Sequence, residues 1–288
     1  ESEKQKVIAR RNNVIMKKYI SCLTIAGSDP SGGAGIEADL KTFAALGTYG
    51  MAVITAVTAQ NTVSVRSSFA LPEDVVAAQA EAVFEDIHPR FVKIGMIANA
   101  GIIKAVARML QKYSPEFVVL DPVMVSTSGS KLMADDAIDS LRSELLPLAS
   151  VVTPNLPEFS VLSGFGLPAT VDEVKVGGKK FFDKYHVPLL IKGGHFEDSP
   201  YSTDVLVTSD EVRAYSMSRI RTENTHGTGC TLSSAITAYY ARGHKLAEAV
   251  GLAKSYLFEA LKAGADVKLG AGHGPVNHFF KPEKQRFE

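Results

Sequence analysis

Cysteine is scarce in this chain of 288 residues, and its two examples, Cys22 and Cys230, are far apart and form no CxxC pair. That removes a cysteine zinc cluster and fits a reducing compartment, so a cytoplasmic location is the expectation. Neither sign of charge dominates, because Lys+Arg and Asp+Glu both number 31. No net field draws nucleic acid or an anionic membrane, which leaves small-molecule chemistry as the better expectation. No apolar run approaches the roughly 18 residues of a membrane span, and no Asn-x-Ser/Thr sequon occurs. The Walker-type phosphate loop, the G-x-S-x-G elbow and the H-E-x-x-H zinc helix are all missing, and the usual nucleotide-loop and hydrolase readings go with them. Residues 1–18 are rich in charge, and their short apolar stretches, Val7-Ile8-Ala9 and Val14-Ile15-Met16, are too small for a signal-peptide core. They read as a floppy extension, residues 19–280 as one domain, and residues 281–288 as a tail.

What is present is a regular alternation. Short apolar runs at Ile20–Ala26, Met51–Ala59, Phe91–Ile94, Phe117–Leu120, Val151-Val152 and Pro188–Ile191 read as buried strands. Helical spacing falls between them, at Ala34–Leu46, from Pro72 to about Phe84, at Ala98–Gln111, Asp135–Leu146 and Thr170–Tyr185. Val63–Leu71 alternates weakly, as an edge strand would. Thr203–Thr208 and Glu211–Ser216 read as a hairpin about Ser209-Asp210, and a helix after Cys230 and another at Leu246–Ala263 close the chain. Alternating strands and helices with no linker or repeat predict an α/β fold, a mainly parallel sheet covered on both faces. Ligands of such sheets bind beyond the carboxyl ends of the strands. That rim collects Asp29–Gly35, Gln60, Gly95-Met96, Asp121, Asn155–Glu158, Lys192-Gly193 and the turn Gly227–Cys230.

The stretch Asn224-Thr-His-Gly-Thr-Gly-Cys230 feeds straight into a helix. Glycines allow close backbone approach, and a first helical turn offers unpaired N–H groups and a positive dipole end, which together suit an anion. A thiol there can be acidified. The bland alternative is a tight strand–helix turn. Gly33-Ala-Gly-Ile-Glu-Ala38 matches the dinucleotide fingerprint, but Val53-Ile54-Thr55 stand where its partner acid belongs. Phosphoryl transfer fits the rim better. Gly227–Cys230 would cradle the anion, Asp121 and Glu158 would organise Mg²⁺ through water, and Lys192 would meet a phosphate oxygen. Each has a plain reading too: Glu158 as a helix cap, Asp121 as a turn residue, Lys192 as a solvated strand end.

Leu23-Thr-Ile-Ala-Gly-Ser-Asp-Pro-Ser-Gly-Gly-Ala-Gly-Ile-Glu-Ala-Asp39, Thr58-Ala-Gln60-Asn-Thr, Lys93-Ile-Gly-Met96, Leu120-Asp-Pro-Val-Met124, Thr153-Pro-Asn-Leu-Pro-Glu158, Lys192-Gly-Gly-His195 and Asn224–Cys230 carry a resemblance. The chain resembles the bacterial hydroxymethylpyrimidine kinase/hydroxymethylpyrimidine-phosphate kinase family of thiamine biosynthesis, from about Cys22 to Phe279. The resemblance implies a ribokinase-like three-layer α/β/α sandwich, ATP with Mg²⁺, a homodimer, and two successive phosphorylations of a pyrimidine alcohol. By the same resemblance Gly27, Asp39 and Gln60 would hold the aminopyrimidine between Met96 and Val123. Asn155, Lys192 and Gly193 would serve ATP, Asp121 and Glu158 the metal, and the N–H groups of Gly227, Thr228 and Gly229 the transferring group. Cys230 would be the base for the substrate hydroxyl, although a stabilised thiolate is also a weaker base. A vitamin B6 kinase of the same superfamily is the main alternative, and Gln60, a position that tends to be apolar in that branch, favours the pyrimidine. A non-catalytic pyrimidine- or nucleotide-binding protein is the alternative from another class. Val125–Lys131 and His195–Tyr201, rich in Ser and Gly or in polar residues, are candidate lids.

Overall fold

Short, mostly apolar strands are stable only with both faces covered, and the centre of this fold is built on two of them, four residues each. The computed structural model describes residues 17–125, 129, 132–134, 136–194, 196 and 199–288. Strands β5 (Phe91–Ile94) and β6 (Phe117–Leu120) are buried along their whole length. They pair in parallel with each other, and the sheet extends through β1 (Ser21–Ala26) to β2 (Tyr49–Ile54) on one side. On the other side follow β7 (Val151–Val152), β8 (Leu189–Ile191), β9 (Tyr201–Val207) and β10 (Val212–Ser218). β9 runs antiparallel to both β8 and β10, forming a hairpin with β10, and every other pairing in this eight-stranded sheet is parallel.

Alternation along each strand sends side chains to two separate cores. Leu23 and Ile25 of β1 join one cluster and Cys22 the other. The first core is closed by α2 (Glu73–Asp86), α3 (Ala100–Tyr113), α5 (Leu156–Ser163) and α6 (Val171–Tyr185). The second is closed by α1 (Gly35–Ala45), α7 (Thr228–Ala241) and α8 (Leu246–Gly264). This is the three-layer α/β/α arrangement that the sequence predicts. Among the described residues no helix is long and apolar enough to cross a membrane.

Two elements differ from the sequence reading. The run Met51–Ala59 is not one strand: it divides at Thr55. The Thr55 N–H donates to Ala26 O, its C=O accepts from Leu71 N–H, and its hydroxyl donates to Met96 O at 2.7 Å. Beyond it the chain leaves the sheet as β3 (Ala56–Gln60), which pairs with β4 (Val65–Ala70) as a separate ribbon bulged at Ala59/Gln60. The helix expected over Asp135–Leu146 is α-helical only at α4 (Ala137–Ser140). It then widens over Leu141–Leu145 and tightens over Leu146–Leu148. Pro147 has no N–H to give Ser143, so the α-helical ladder cannot run through it.

Residues 281–288 are held on the domain, with Glu283 N–H on Ala45 O and Arg286 N–H on Gly47 O, both at 2.8 Å. The expectations for residues 1–16, for Asp135, and for the candidate lids at 126–128, 130–131, 195 and 197–198 lie outside the described residues.

Candidate active site

At the carboxyl ends of β1 and β5–β8 lies a cavity of about 740 Å³. Its floor is the start of α7. Gly227 has φ +77, and a Cβ there would collide with Gly33 O. Glycine is therefore required twice over, by conformation and by contact. The first intrahelical donor is Thr231, bonded to Gly227 O at 2.8 Å. The N–H groups of Gly229 and Cys230 precede it in the first turn, where donors have no helical acceptor and the dipole is positive. Thr228, Gly229 and Cys230 all line the cavity.

Three charged side chains meet beside that helix start. Asp121, fully buried after β6, accepts from Lys192 Nζ at 2.7 Å, Thr153 Oγ1 at 3.2 Å and Ser233 Oγ at 3.1 Å. Burial disfavours its charge, but Lys192 and Lys93 outweigh burial and hold its pKa below the ordinary carboxylate value. Glu158 lies 3.9 Å from Lys192 Nζ. Burial, aided by Asp121, pushes its pKa up despite Lys192. Lys192 stays charged because the two carboxylates outweigh its burial. Glu158 also completes the capping box of α5: Asn155 Oδ1 accepts from Glu158 N–H, and Glu158 Oε2 from Asn155 N–H, both at 2.8 Å. The capping reading is thus real, and it aims the carboxylate into the cavity. Among the described residues no three or more His, Cys, Asp or Glu cluster as a metal cage. Two carboxylates of unequal acidity beside a lysine fit a cation that keeps most of its water, as Mg²⁺ does.

Cys230 differs from the acidified thiol that its helix position predicts. Burial pushes its pKa up to about 11, with Asp39 and Asp121 adding to that and Lys93 and the Gly35 N–H opposing it. Loss of water and two nearby carboxylates outweigh the Lys93 charge and the Gly35 bond.

The opposite end of the cavity is less charged. Gly27, Gln60, Met96 and Val123 line it. A Cβ on Gly27 would press on the Met96 sulfur at 3.0 Å. Asp39 is the clearest departure from expectation. It does not line the cavity. Its carboxylate is fully buried and accepts from Lys93 Nζ at 2.9 and 2.8 Å, from Thr24 Oγ1 at 2.6 Å and from Ser234 Oγ at 2.7 Å. Those donors leave no room for a ligand. Gly193 also lies behind the wall: its N–H donates to Asp204 at 3.0 Å, and a Cβ there would overlap Thr203 O.

The sequence pattern describing phosphomethylpyrimidine kinases matches residues 29–277, which takes in both ends of this cavity. The chain belongs to the phosphomethylpyrimidine kinase family. It is similar to the hydroxymethylpyrimidine/phosphomethylpyrimidine kinase of Escherichia coli (strain K12), with 47% identity over 262 residues, 91% of this chain and 98% of that protein. The protein of that name from Rhizobium meliloti (strain 1021) is 46% identical over 259 residues, 90% of this chain and 97% of the relative. Among solved structures, phosphomethylpyrimidine kinase from Clostridium difficile 630 superposes with a TM-score of 0.74 at 46% identity, covering 84% of this chain and 99% of that one. Pyridoxal kinase from Staphylococcus aureus in complex with ADP gives a TM-score of 0.82 at 37% identity, covering 90% and 93%.

In this phosphomethylpyrimidine kinase chain the structure also brings in residues that sequence reasoning gave no role. Lys93 is one, and its signal was visible: a lone charge inside the apolar strand Phe91-Val-Lys-Ile needs a buried partner. Asp29 and His226 are a pair, Oδ2 to Nε2 at 2.7 Å, joining the loop before α1 to the turn before α7. Asp29 also accepts from the N–H groups of Ser31, Gly33 and Ala34. Burial opposes its charge, yet the His226 and Ser31 bonds hold its pKa far below the usual range.

Proposed function

We propose that this chain transfers the terminal phosphoryl group of ATP to the hydroxymethyl group of an aminopyrimidine alcohol, hydroxymethylpyrimidine, and then phosphorylates the monophosphate to the diphosphate in thiamine biosynthesis. The observation that carries this reading is one cavity with two unlike ends. An amide and apolar walls stand at one end, and a lysine, two carboxylates and a glycine-lined helix start stand at the other. The pyrimidine ring would lie between Met96 and Val123, with Gln60 offering both a donor and an acceptor. Its hydroxymethyl group would point toward Cys230. The phosphates would lie along Lys192 and the first turn of α7, whose N–H groups would stabilise charge on the transferring group.

Asp121 and Glu158 would hold Mg²⁺, which supplies charge neutralisation across the phosphates when it binds with ATP. Lys192 adds a fixed positive charge and, through its bond to Asp121, keeps that carboxylate ionised. Asn155 orients Glu158 through the capping box. Thr228 and Gly229 keep the backbone close to the phosphates. Cys230 would take the hydroxyl proton. Only the thiolate can accept it, becoming the thiol, and with the pKa pushed up to about 11 by burial the reacting form is the minor one, a stronger base than an acidified thiolate.

The test is Mg²⁺-dependent ADP formation by the purified chain with hydroxymethylpyrimidine or with pyridoxal. A preference of at least about tenfold in kcat/KM for the pyrimidine is expected from one matched amide contact. The second reading, a pyridoxal kinase, is favoured by the close superposition on the Staphylococcus aureus enzyme. A preference for pyridoxal would establish it in place of the first. A cytoplasmic homodimer is part of the proposal, and a monomeric mass by light scattering would remove the dimer.

A further inference from the structure

The polar cluster at the substrate end has a hydrogen-bonding logic of its own. Asp29 accepts from three backbone N–H groups and from Ser31 Oγ, so its carboxylate has no donor to offer. His226 Nε2, 2.7 Å from Asp29 Oδ2, must therefore carry a hydrogen, since two acceptors at that distance would repel. The same Nε2 lies 3.3 Å from the Nε2 of Gln60, and in that arrangement two donors face each other. Exchanging the ends of the amide, which occupy the same volume, removes the conflict. Gln60 Oε1 then shares the His226 hydrogen. The amide NH₂ then faces Thr58 Oγ1, at the 3.4 Å now spanned by the amide oxygen. Thr58 can accept there, because its own hydrogen goes to Ser28 O at 2.9 Å.

We propose that Asp29 and His226 are positioning residues that fix which end of the Gln60 amide faces each side of the pocket, and so set the pocket's donor–acceptor order toward an aminopyrimidine. This deepens the kinase reading above and rests on it. After the exchange, Gln60 keeps one N–H and one oxygen lone pair free, and it lines the cavity. A ring nitrogen beside an exocyclic amine needs that pair in one order only. Reversal sets donor against donor and acceptor against acceptor. His226 is 6% exposed and Asp29 2%, so water is poorly placed to take over the task.

Steady-state kinetics of His226→Leu and His226→Gln test the proposal. Loss of the fixed order raises KM for hydroxymethylpyrimidine by about tenfold or more, the usual cost of a mismatched buried hydrogen bond. The kcat and the KM for ATP stay within about threefold. The Gln variant, whose amide nitrogen can stand in for Nε2–H, restores KM to within about threefold of the parent. A fall in kcat with KM unchanged, or a Gln variant as impaired as the Leu variant, overturns the proposal. Nitrogen-15 spectra of ligand-free wild-type enzyme read the same point without any dependence on variant folding: a hydrogen on His226 Nε2 is expected, and a ring whose only hydrogen is on Nδ1 overturns the proposal. If the wild-type chain fails to turn over the pyrimidine at all, the parent reading falls and this one with it. Normal wild-type turnover with an unshifted KM in His226→Leu sinks this inference alone.

Discussion

Two buried Lys–Asp pairs stand at the ends of neighbouring parts of the sheet, and they do opposite things. Lys93 and Asp39 are both fully buried, and the carboxylate is further bonded by Thr24 and Ser234. Lys192 and Asp121 are also close, at 2.7 Å, but the lysine side chain is 15% exposed, both residues line the cavity, and Glu158 waits 3.9 Å away. The first pair is closed, its partners all supplied by the protein. The second is shared among more groups than it can satisfy at once, and it opens on the space where a phosphate would sit. Residue type does not separate scaffold from chemistry here; saturation of the bonds does. In both pairs, burial would strip the lysine proton and the carboxylates outweigh it. Only one pair has anything left to offer a ligand.

That contrast can be broken at three points. The largest effect is expected from Lys93→Met, which leaves Asp39 charged and unpaired in the core and costs about 3–5 kcal/mol of stability by denaturant unfolding. The double variant Lys93→Met/Asp39→Leu should recover most of the loss. If the single change costs under about 1 kcal/mol, the closed pair is not a scaffold. Lys192→Met should act the other way round. It lowers kcat by about 10²–10³, the scale of removing one preorganised charge-stabilising group. Asp121 keeps its Thr153 and Ser233 bonds, so the unfolding midpoint moves less than for Lys93→Met. A large stability loss with kcat preserved would erase the distinction between the pairs.

The smallest effect concerns Cys230, which feels charges of both pairs. A thiol reacts as thiolate, and with a pKa of about 11 only about one molecule in a thousand is thiolate at pH 8. Alkylation of the ligand-free chain by iodoacetamide should therefore climb about tenfold per pH unit from pH 7 to 10. Cys22, buried and pushed up to about 12, should contribute little. A plateau reached by pH 8 would mean that Lys93 and the helix end win over burial after all.

The sequence was informative where one local stretch sufficed. Short apolar runs ending in polar residues placed the parallel strands and their rim, because strand burial and the carboxyl-end rule are both local. The hairpin about Ser209-Asp210 followed from its turn. The resemblance assigned Asp39 to the substrate, and no local pattern could show that Lys93, 54 positions away, occupies it. The pairing of Asp29 with His226 was missed for a similar reason, at a separation of 197 residues. The resemblance assigned Gly193 to ATP, whereas the demand on it in the fold is close approach to Thr203 O. The helix-end rule for Cys230 ignored two carboxylates that only the fold brings near. Glu158 shows the limit of choosing between readings, since one carboxylate caps a helix and faces the cavity.

Thr55 gives the pocket a pivot. The run that begins as β2 is pinned there to Ala26, to Leu71 and, by its hydroxyl, to the carbonyl of Met96. Five residues further on, at the end of β3, stands Gln60. The ribbon is thus a short lever whose fulcrum is tied to the opposite wall of the pocket. Met96 and Gln60, both on the pocket, are thereby referred to one fixed point in the scaffold.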